Sequence, residues 1–384
     1  MKTPFKCLLL MLITSATLSA QKHEIYKNSF DEELKALVLD LNRSYIQFEE
    51  SNDGKLHIDY TIEFSNYSKK EVQEILSKIK TSAIVEENKL VFKSNSEGIA
   101  GEIVYSLESL FGVTFEGDHI KFKEKSTKQF RQSKQYFYDI NSSSRGKSLK
   151  EYLKNIRELD AKKKKKKVKI KNIKSYKTNF IIKIPRDINI RATVINSSMT
   201  FNLDLKNQIT LNARNTDLKF QSLINNLNNF DVVNGSVRAN ALQGGSYKFN
   251  HVDKVQLAEI KNLDFDCEFT DVKIGEVGEN VKIVDFNSKF WIHNFSNNFG
   301  NFKMHTEYSE INMFFPENIE YYIETFGQDT VHYYGEIITE IPPSRKNEST
   351  KMMVIGENIS SNKIKINTKH GIIRFGEDFI DIKK

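Results

Sequence analysis

From Lys174 to Phe315 apolar and polar residues alternate in short runs broken by Asn, Asp, Ser and Gly, with no helical period. Such a stretch predicts many short strands, each with one face turned inward. Within it Asn196-Ser197-Ser198-Met199-Thr200-Phe201 recurs as Asn215-Thr216-Asp217-Leu218-Lys219-Phe220 and as Asn234-Gly235-Ser236-Val237-Arg238-Ala239, 19 residues apart both times. Weaker echoes follow at Asn280, Asn287 and Ser309. Asparagine tolerates left-handed backbone and its amide bonds turn backbone, so it starts a corner. The apolar–polar–apolar triplet after it is a minimal strand. One such unit cannot bury its face alone, whereas stacked units form a continuous core. The expected fold is therefore mainly β, a β-solenoid-like strand-repeat domain over residues 174–315 preceded by a small α+β module. An antiparallel sandwich with similar strand spacing is the competing arrangement.

The pattern elsewhere divides the rest of the chain. Residues 1–20 begin with Lys2 and Lys6, continue as an apolar run from Cys7 to Ile13, and end in small residues before Gln21. That is the pattern of a cleaved secretory signal peptide, with cleavage before Gln21 and a secreted or periplasmic product. Residues 21–125 read as the α+β module. Asp40 to Glu50 and Lys55 to Phe64 are β-like runs around the tight-turn signal Asn52-Asp53-Gly54. Ser68-Lys69-Lys70-Glu71 is a capping box, and Val72, Ile75, Leu76 and Ile79 follow at helical spacing. Residues 126–173 form a polar linker with a second amphipathic helix and six consecutive lysines. Residues 316–384 read as an aromatic hairpin, in which Ile319 to Thr325 and Val331 to Ile338 flank Phe326 to Thr330, followed by closing strands from Ile364 to Phe375.

Charge sharpens this division. The 384 residues carry a net charge of +7, yet residues 119–191 hold 24 basic and 6 acidic side chains, while residues 21–118 hold 11 and 19. Lys162, Lys163, Lys164, Lys165, Lys166 and Lys167 should be solvated and extended by mutual repulsion. They are the element suited to an anionic surface, either surface polysaccharide or the headgroups of a peripherally contacted membrane. Nucleic acid is not an expected partner of a secreted chain with so little arginine in this stretch. Of the two cysteines only Cys267 survives cleavage, so no intramolecular disulfide forms. Its alternation with Phe265 and Phe269 reads as a buried face.

Catalytic signatures are missing. The eight histidines show no metal-ligand spacing, and there is no phosphate loop or nucleophile elbow. No cofactor, metal or catalytic residue is expected, and the chain reads as non-enzymatic. Asp264, Asp266 and Glu268 share one strand face. They carry the alternative of a carbohydrate-active β-solenoid, a polysaccharide lyase or hydrolase, or of a Ca²⁺ site. Tyr321, Tyr322, Tyr333 and Tyr334 cluster on the hairpin and are the candidate platform for a glycan or protein partner.

Phe180-Ile181-Ile182-Lys183-Ile184-Pro185, then Ile188 and Ile190, the Asn-led triplets and the closing Asn367-Thr368-Lys369-His370-Gly371-Ile372 together resemble the adhesin-like β-strand-repeat proteins of bacterial envelopes. The resemblance spans about residues 175–375. It implies an envelope location and a structural or adhesive role, and it supplies no catalytic residue. A regulatory partner of an envelope sensor is the third class of function compatible with this layout.

Overall fold

The computed structural model describes residues 21–30, 33–65, 67–95, 113–116, 119–122, 175–315, 320–334, 337–341 and 350–376. The expected signal peptide, the second helix and Lys162 to Lys167 lie outside them. The described chain is mainly β, with one mixed sheet of 25 strands, a separate two-stranded ribbon and one helix among the described residues.

The first elements are β1 (Gln21–Phe30), β2 (Ala36–Asn42), β3 (Tyr45–Glu50), β4 (Leu56–Ser65), the helix α1 (Lys69–Lys78), β5 (Lys80–Glu86) and β6 (Lys89–Asn95). The ribbon is β7 (Val113–Glu116) with β8 (His119–Phe122). Then come β9 (Ser175–Ile184), β10 (Asn189–Ile195), β11 (Ser198–Phe201), β12 (Ile209–Ile224), β13 (Asn229–Gln243), β14 (Ser246–Asn250), β15 (Lys254–Lys261), β16 (Asp264–Glu268) and β17 (Asp271–Val277). The last are β18 (Val281–Phe286), β19 (Lys289–Ile292), β20 (Asn301–Glu307), β21 (Glu310–Phe314), β22 (Tyr322–Gln328), β23 (Thr330–Tyr334), β24 (Ile337–Ile341), β25 (Thr350–Ile355), β26 (Lys363–Lys369) and β27 (Ile372–Gly376).

Most neighbours pair in parallel, one repeat apart. Ala213 lies against Val232, and Leu218 against Val237, so the 19-residue recurrence is the register of the β12–β13 ladder. One parallel ladder runs β2, β10, β12, β13, β14, β16, β18, β20, β26, β22. A second runs β9, β3, β11, β12, β13, β15, β17, β19, β21, β27, β23. A third, shorter column aligns Leu205, Leu223, Leu242, Ile260, Val277 and Phe295. All six are buried, and the inward faces merge into one apolar core. Inside it Phe201 stacks between Phe48 and Phe220, with ring centroids 4.2 and 5.0 Å away.

The capping box at α1 is formed: Ser68 accepts from the Glu71 amide, and Glu71 accepts from the Ser68 amide at 2.8 Å. Two expected pairings are corrected. The runs around Asn52-Asp53-Gly54 do not form a hairpin, because β9 sits between them, parallel to β3 and antiparallel to β4. The run from Asp40 to Glu50 is also two strands, parted at Arg43, whose φ is +52°. Similarly, β22 and β23 do not pair as a hairpin. Asp329, with φ +50°, turns the chain from one ladder to the other, and the two strands lie beside β26 and β27.

The interior changes character along the stack. At the register position of Val194, Ala213, Val232 and Phe249 the next residues are Cys267, Asp285, Thr306 and Thr368. Asp285 is buried and accepts bonds from Thr306 Oγ1 at 2.9 Å, from Cys267 Sγ at 3.3 Å and from Ser309 Oγ. Burial pushes the Asp285 carboxyl up against the opposing pull of these hydroxyls. Burial, reinforced by the Asp285 charge, also pushes the Cys267 thiol up, so it is an unreactive interior group.

Two outcomes follow. Gly235 has φ +99°, and a Cβ there would stand 2.1 Å from the Thr216 carbonyl oxygen, so Gly235→Ala should destabilise by about 3 kcal/mol or more in thermal unfolding. Because the folded Asp285 carboxyl titrates above its unfolded value, its stabilising contribution is complete in acid and is lost as pH rises through the folded pKa. Asp285→Asn should therefore flatten the fall in Tm as pH rises above the ordinary carboxylate range, read by thermal unfolding across a pH series.

Candidate ligand-binding surface

The turn between the two long ladders is made at one residue per rung. In register these residues are Arg43, Asn196, Asn215, Asn234, His251, Phe269, Asn287, Tyr308, His370 and Asp329, and every one has φ between +50° and +59°. Corner amides bond the carbonyl of the next rung, as in Asn196 N–H to Arg214 O at 2.9 Å and Tyr308 N–H to Lys369 O at 2.8 Å. A small or hydroxyl residue follows most corners: Ser44, Ser197, Thr216, Gly235, Thr270, Ser288, Ser309, Gly371 and Thr330. Their hydroxyls bond backbone; Thr216 Oγ1 donates to Arg214 O at 2.9 Å, and Ser288 Oγ accepts from Thr270 N–H at 3.1 Å.

After Arg43 the next three corners use asparagine, the residue best suited to left-handed backbone. Asn215 Nδ2 donates to Asn196 Oδ1 at 3.1 Å, and Asn234 Nδ2 donates to Asn215 Oδ1 at 3.0 Å, giving an amide ladder. From His251 onward aromatic rings replace it. His251 stacks on Phe269 at 4.7 Å, Phe269 meets Phe286 edge-on at 5.5 Å, Phe286 meets Tyr308 at 5.7 Å, and Tyr308 stacks on His370 at 4.7 Å. His370 Nδ1 then bonds Asp329 at 2.8 Å. Where the corner itself remains Asn287, the ring comes from the preceding Phe286, which keeps the row continuous. Phe269 is 43% exposed, Phe286 36% and Tyr308 52%.

A bulky side chain in left-handed backbone costs roughly 1–3 kcal/mol, and each ring pair returns about 0.5–1.5 kcal/mol. The row is thus close to neutral for folding, at positions where asparagine would fit without strain. It leaves a ridge of solvent-facing rings.

Phe269 corrects the expectation that it shares the buried face of Phe265 and Cys267. Both of those are buried, but the corner turns the chain at Phe269 and sends its ring outward. Of the hairpin tyrosines, Tyr322 is buried, and Tyr321 is half-buried against Phe315 at 4.8 Å. Tyr333 faces the Arg374 guanidinium at 5.5 Å, and Tyr334 packs near Phe375 at 6.4 Å. Asp264, Asp266 and Glu268 face outward along β16 without converging. Lys248 lies 3.7 Å from Asp266, and Asn250 donates to Glu268 at 3.1 Å. Among the described residues no group of three His, Cys, Asp or Glu side chains is placed to hold a metal ion. On the third side a groove of about 500 Å³ is lined by Glu259, Glu276 and Glu279. Asn294 bonds Glu276 at 2.9 Å, and Lys261 pairs with Glu279 at 3.2 Å.

No family model and no curated protein matches the chain. Its structural neighbours include a "putative cell adhesion protein" from Clostridium sporogenes, at 11% identity and a TM-score of 0.18, covering 93% of this chain and 99% of that one. A "putative adhesin" from Bacteroides fragilis aligns at 9% identity with a TM-score of 0.35, over 93% and 96% of the two chains. A "putative lipid binding protein" from Parabacteroides distasonis aligns at 9% identity with a TM-score of 0.30, over 91% and 96%. Among the described residues no helix is long and apolar enough to cross a membrane.

Proposed function

We propose that the protein is a non-enzymatic binding protein of the bacterial envelope, exported by residues 1–20. In this reading the parallel ladders are the coils of a β-solenoid, and the corner ridge is the surface it presents. The observation that carries the reading is the unbroken row His251, Phe269, Phe286, Tyr308 and His370, exposed along the corner column, where all but Phe286 hold left-handed positions that asparagine would fill without strain. The outward carboxylates of β16 support the absence of acid–base chemistry there, since they lie in line instead of facing one another across a cleft. The basic run from Lys162 to Lys167 would add attraction to anionic envelope components.

The test is co-sedimentation of the mature chain with purified bacterial envelope fractions, wild type against Phe269→Asn/Tyr308→Asn. Asparagine suits both corners, so the variant should keep its Tm while binding falls about tenfold, as expected for losing two exposed aromatic contacts. Binding to no fraction, or equal binding by the variant, would overturn the proposal.

A further inference from the structure

Beside the ridge lies a row of cations. Lys282 on β18, Lys303 on β20 and Lys365 on β26 are in register on adjacent rungs, and all three are exposed. Like charges directly opposite one another on neighbouring strands disfavour the folded sheet. Lys365 is offset by Glu324 at 3.4 Å. Among the described residues neither Lys282 nor Lys303 forms an ion pair; Asp264 of β16 lies opposite Lys282 in register, whereas Lys303 has a lysine on each side. Between this rail and the ridge the same rungs present Val284, His305 and Asn367, then Phe286, Glu307 and Lys369. The last two neutralise each other at 2.9 Å. The strip therefore has ammonium groups along one margin, aromatic rings along the other, and a floor about 13 Å wide, four residues of strand.

We infer that this strip binds a linear acidic polysaccharide lying along the stack, with its anionic groups over Lys282, Lys303 and Lys365 and its sugar C–H faces against the ridge. The inference rests on the binding reading above and names its ligand class. Charge complementarity selects an anion. The geometry selects a single chain, since the rail is one lysine wide and repeats every ~4.8 Å along the stack, close to the length of one sugar unit in an extended chain. A lipid surface would have no use for that one-dimensional spacing. The repulsion of Lys303 by the lysine on either side of it is what such a polyanion would relieve.

The experiment measures binding of the mature chain to polygalacturonate, hyaluronate and dextran sulfate, with uncharged dextran and phosphatidylglycerol vesicles as the other arms. Wild type should bind at least one acidic polymer, more weakly as salt rises, and should not bind dextran. Lys282→Gln/Lys303→Gln should lower that affinity about tenfold while leaving Tm equal or higher, because neutralising the pair removes repulsion. A structural role for the lysines would instead lower Tm. If the chain sediments with envelope fractions but binds none of the three acidic polymers, this inference fails and the broader reading stands. Equal binding to dextran, unchanged affinity in the double variant, or lysine-dependent binding to vesicles alone also overturns it.

Discussion

The structure depends on a left-handed corner repeated once per rung. At each corner a single residue with φ near +50° redirects the chain from one ladder to the next. Its amide bonds the carbonyl of the neighbouring rung, so the turn and the stacking are one interaction. A corner that fails would misplace the strand after it by one residue and exchange its buried and exposed faces. This explains why asparagine fills three successive early corners, and why the residue behind most corners is small or carries a hydroxyl. At Gly235 the backbone of the preceding rung occupies the space a side chain would need.

The same geometry separates the roles of the two ends. Around Asn196, Asn215 and Asn234 the corner side chains bond one another amide to amide, and the interior column of Val194, Ala213 and Val232 is apolar. Beyond His251 the corner becomes aromatic, and the interior admits Cys267, Asp285, Thr306 and Thr368. Deeper still, burial draws His332 down to about 4, with Thr325 Oγ1 3.2 Å from its Nδ1. These later rungs carry the exposed ridge, the lysine rail and the buried polar groups together. The apolar core runs through both ends, while the exposed rings and the lysine rail belong to the later rungs.

How much of this was legible follows from which residues fill the corner. The repeat at Asn196, Asn215 and Asn234 could be read because asparagine is chemically suited to left-handed backbone, and its constant spacing is the ladder register. From His251 onward the interval varies, 17, 18, 18 and then 21 residues as far as Tyr308, and the corner residues no longer betray the conformation. The signal that persists is the small or hydroxyl residue behind them, as in Phe269-Thr270, Tyr308-Ser309 and His370-Gly371. Strict alternation puts Phe269 on the buried face of Phe265 and Cys267, but the corner at Phe269 breaks that alternation. The hairpin around Asp329 was inferred from local turn chemistry, yet β26, from far along the chain, competes successfully for β22. Insertion of β9 between β3 and β4 is likewise a non-local pairing that no local pattern encodes. The tyrosine platform rested on composition, and composition does not distinguish Tyr322 turned inward from Tyr308 turned outward.

The central claim, parallel rungs stacked in one register, is tested most directly by distances between spin labels on a single outward column. Thr193, Asp266 and His305 lie on one such column, with Asp266 four rungs and His305 six rungs from Thr193. The buried thiol of Cys267 would stay unlabelled. At ~4.8 Å per rung, backbone separations of about 19 and 29 Å are predicted, growing in proportion to rung number. Separations that fail to grow with rung number, as antiparallel pairing within a sandwich would produce, would contradict the account.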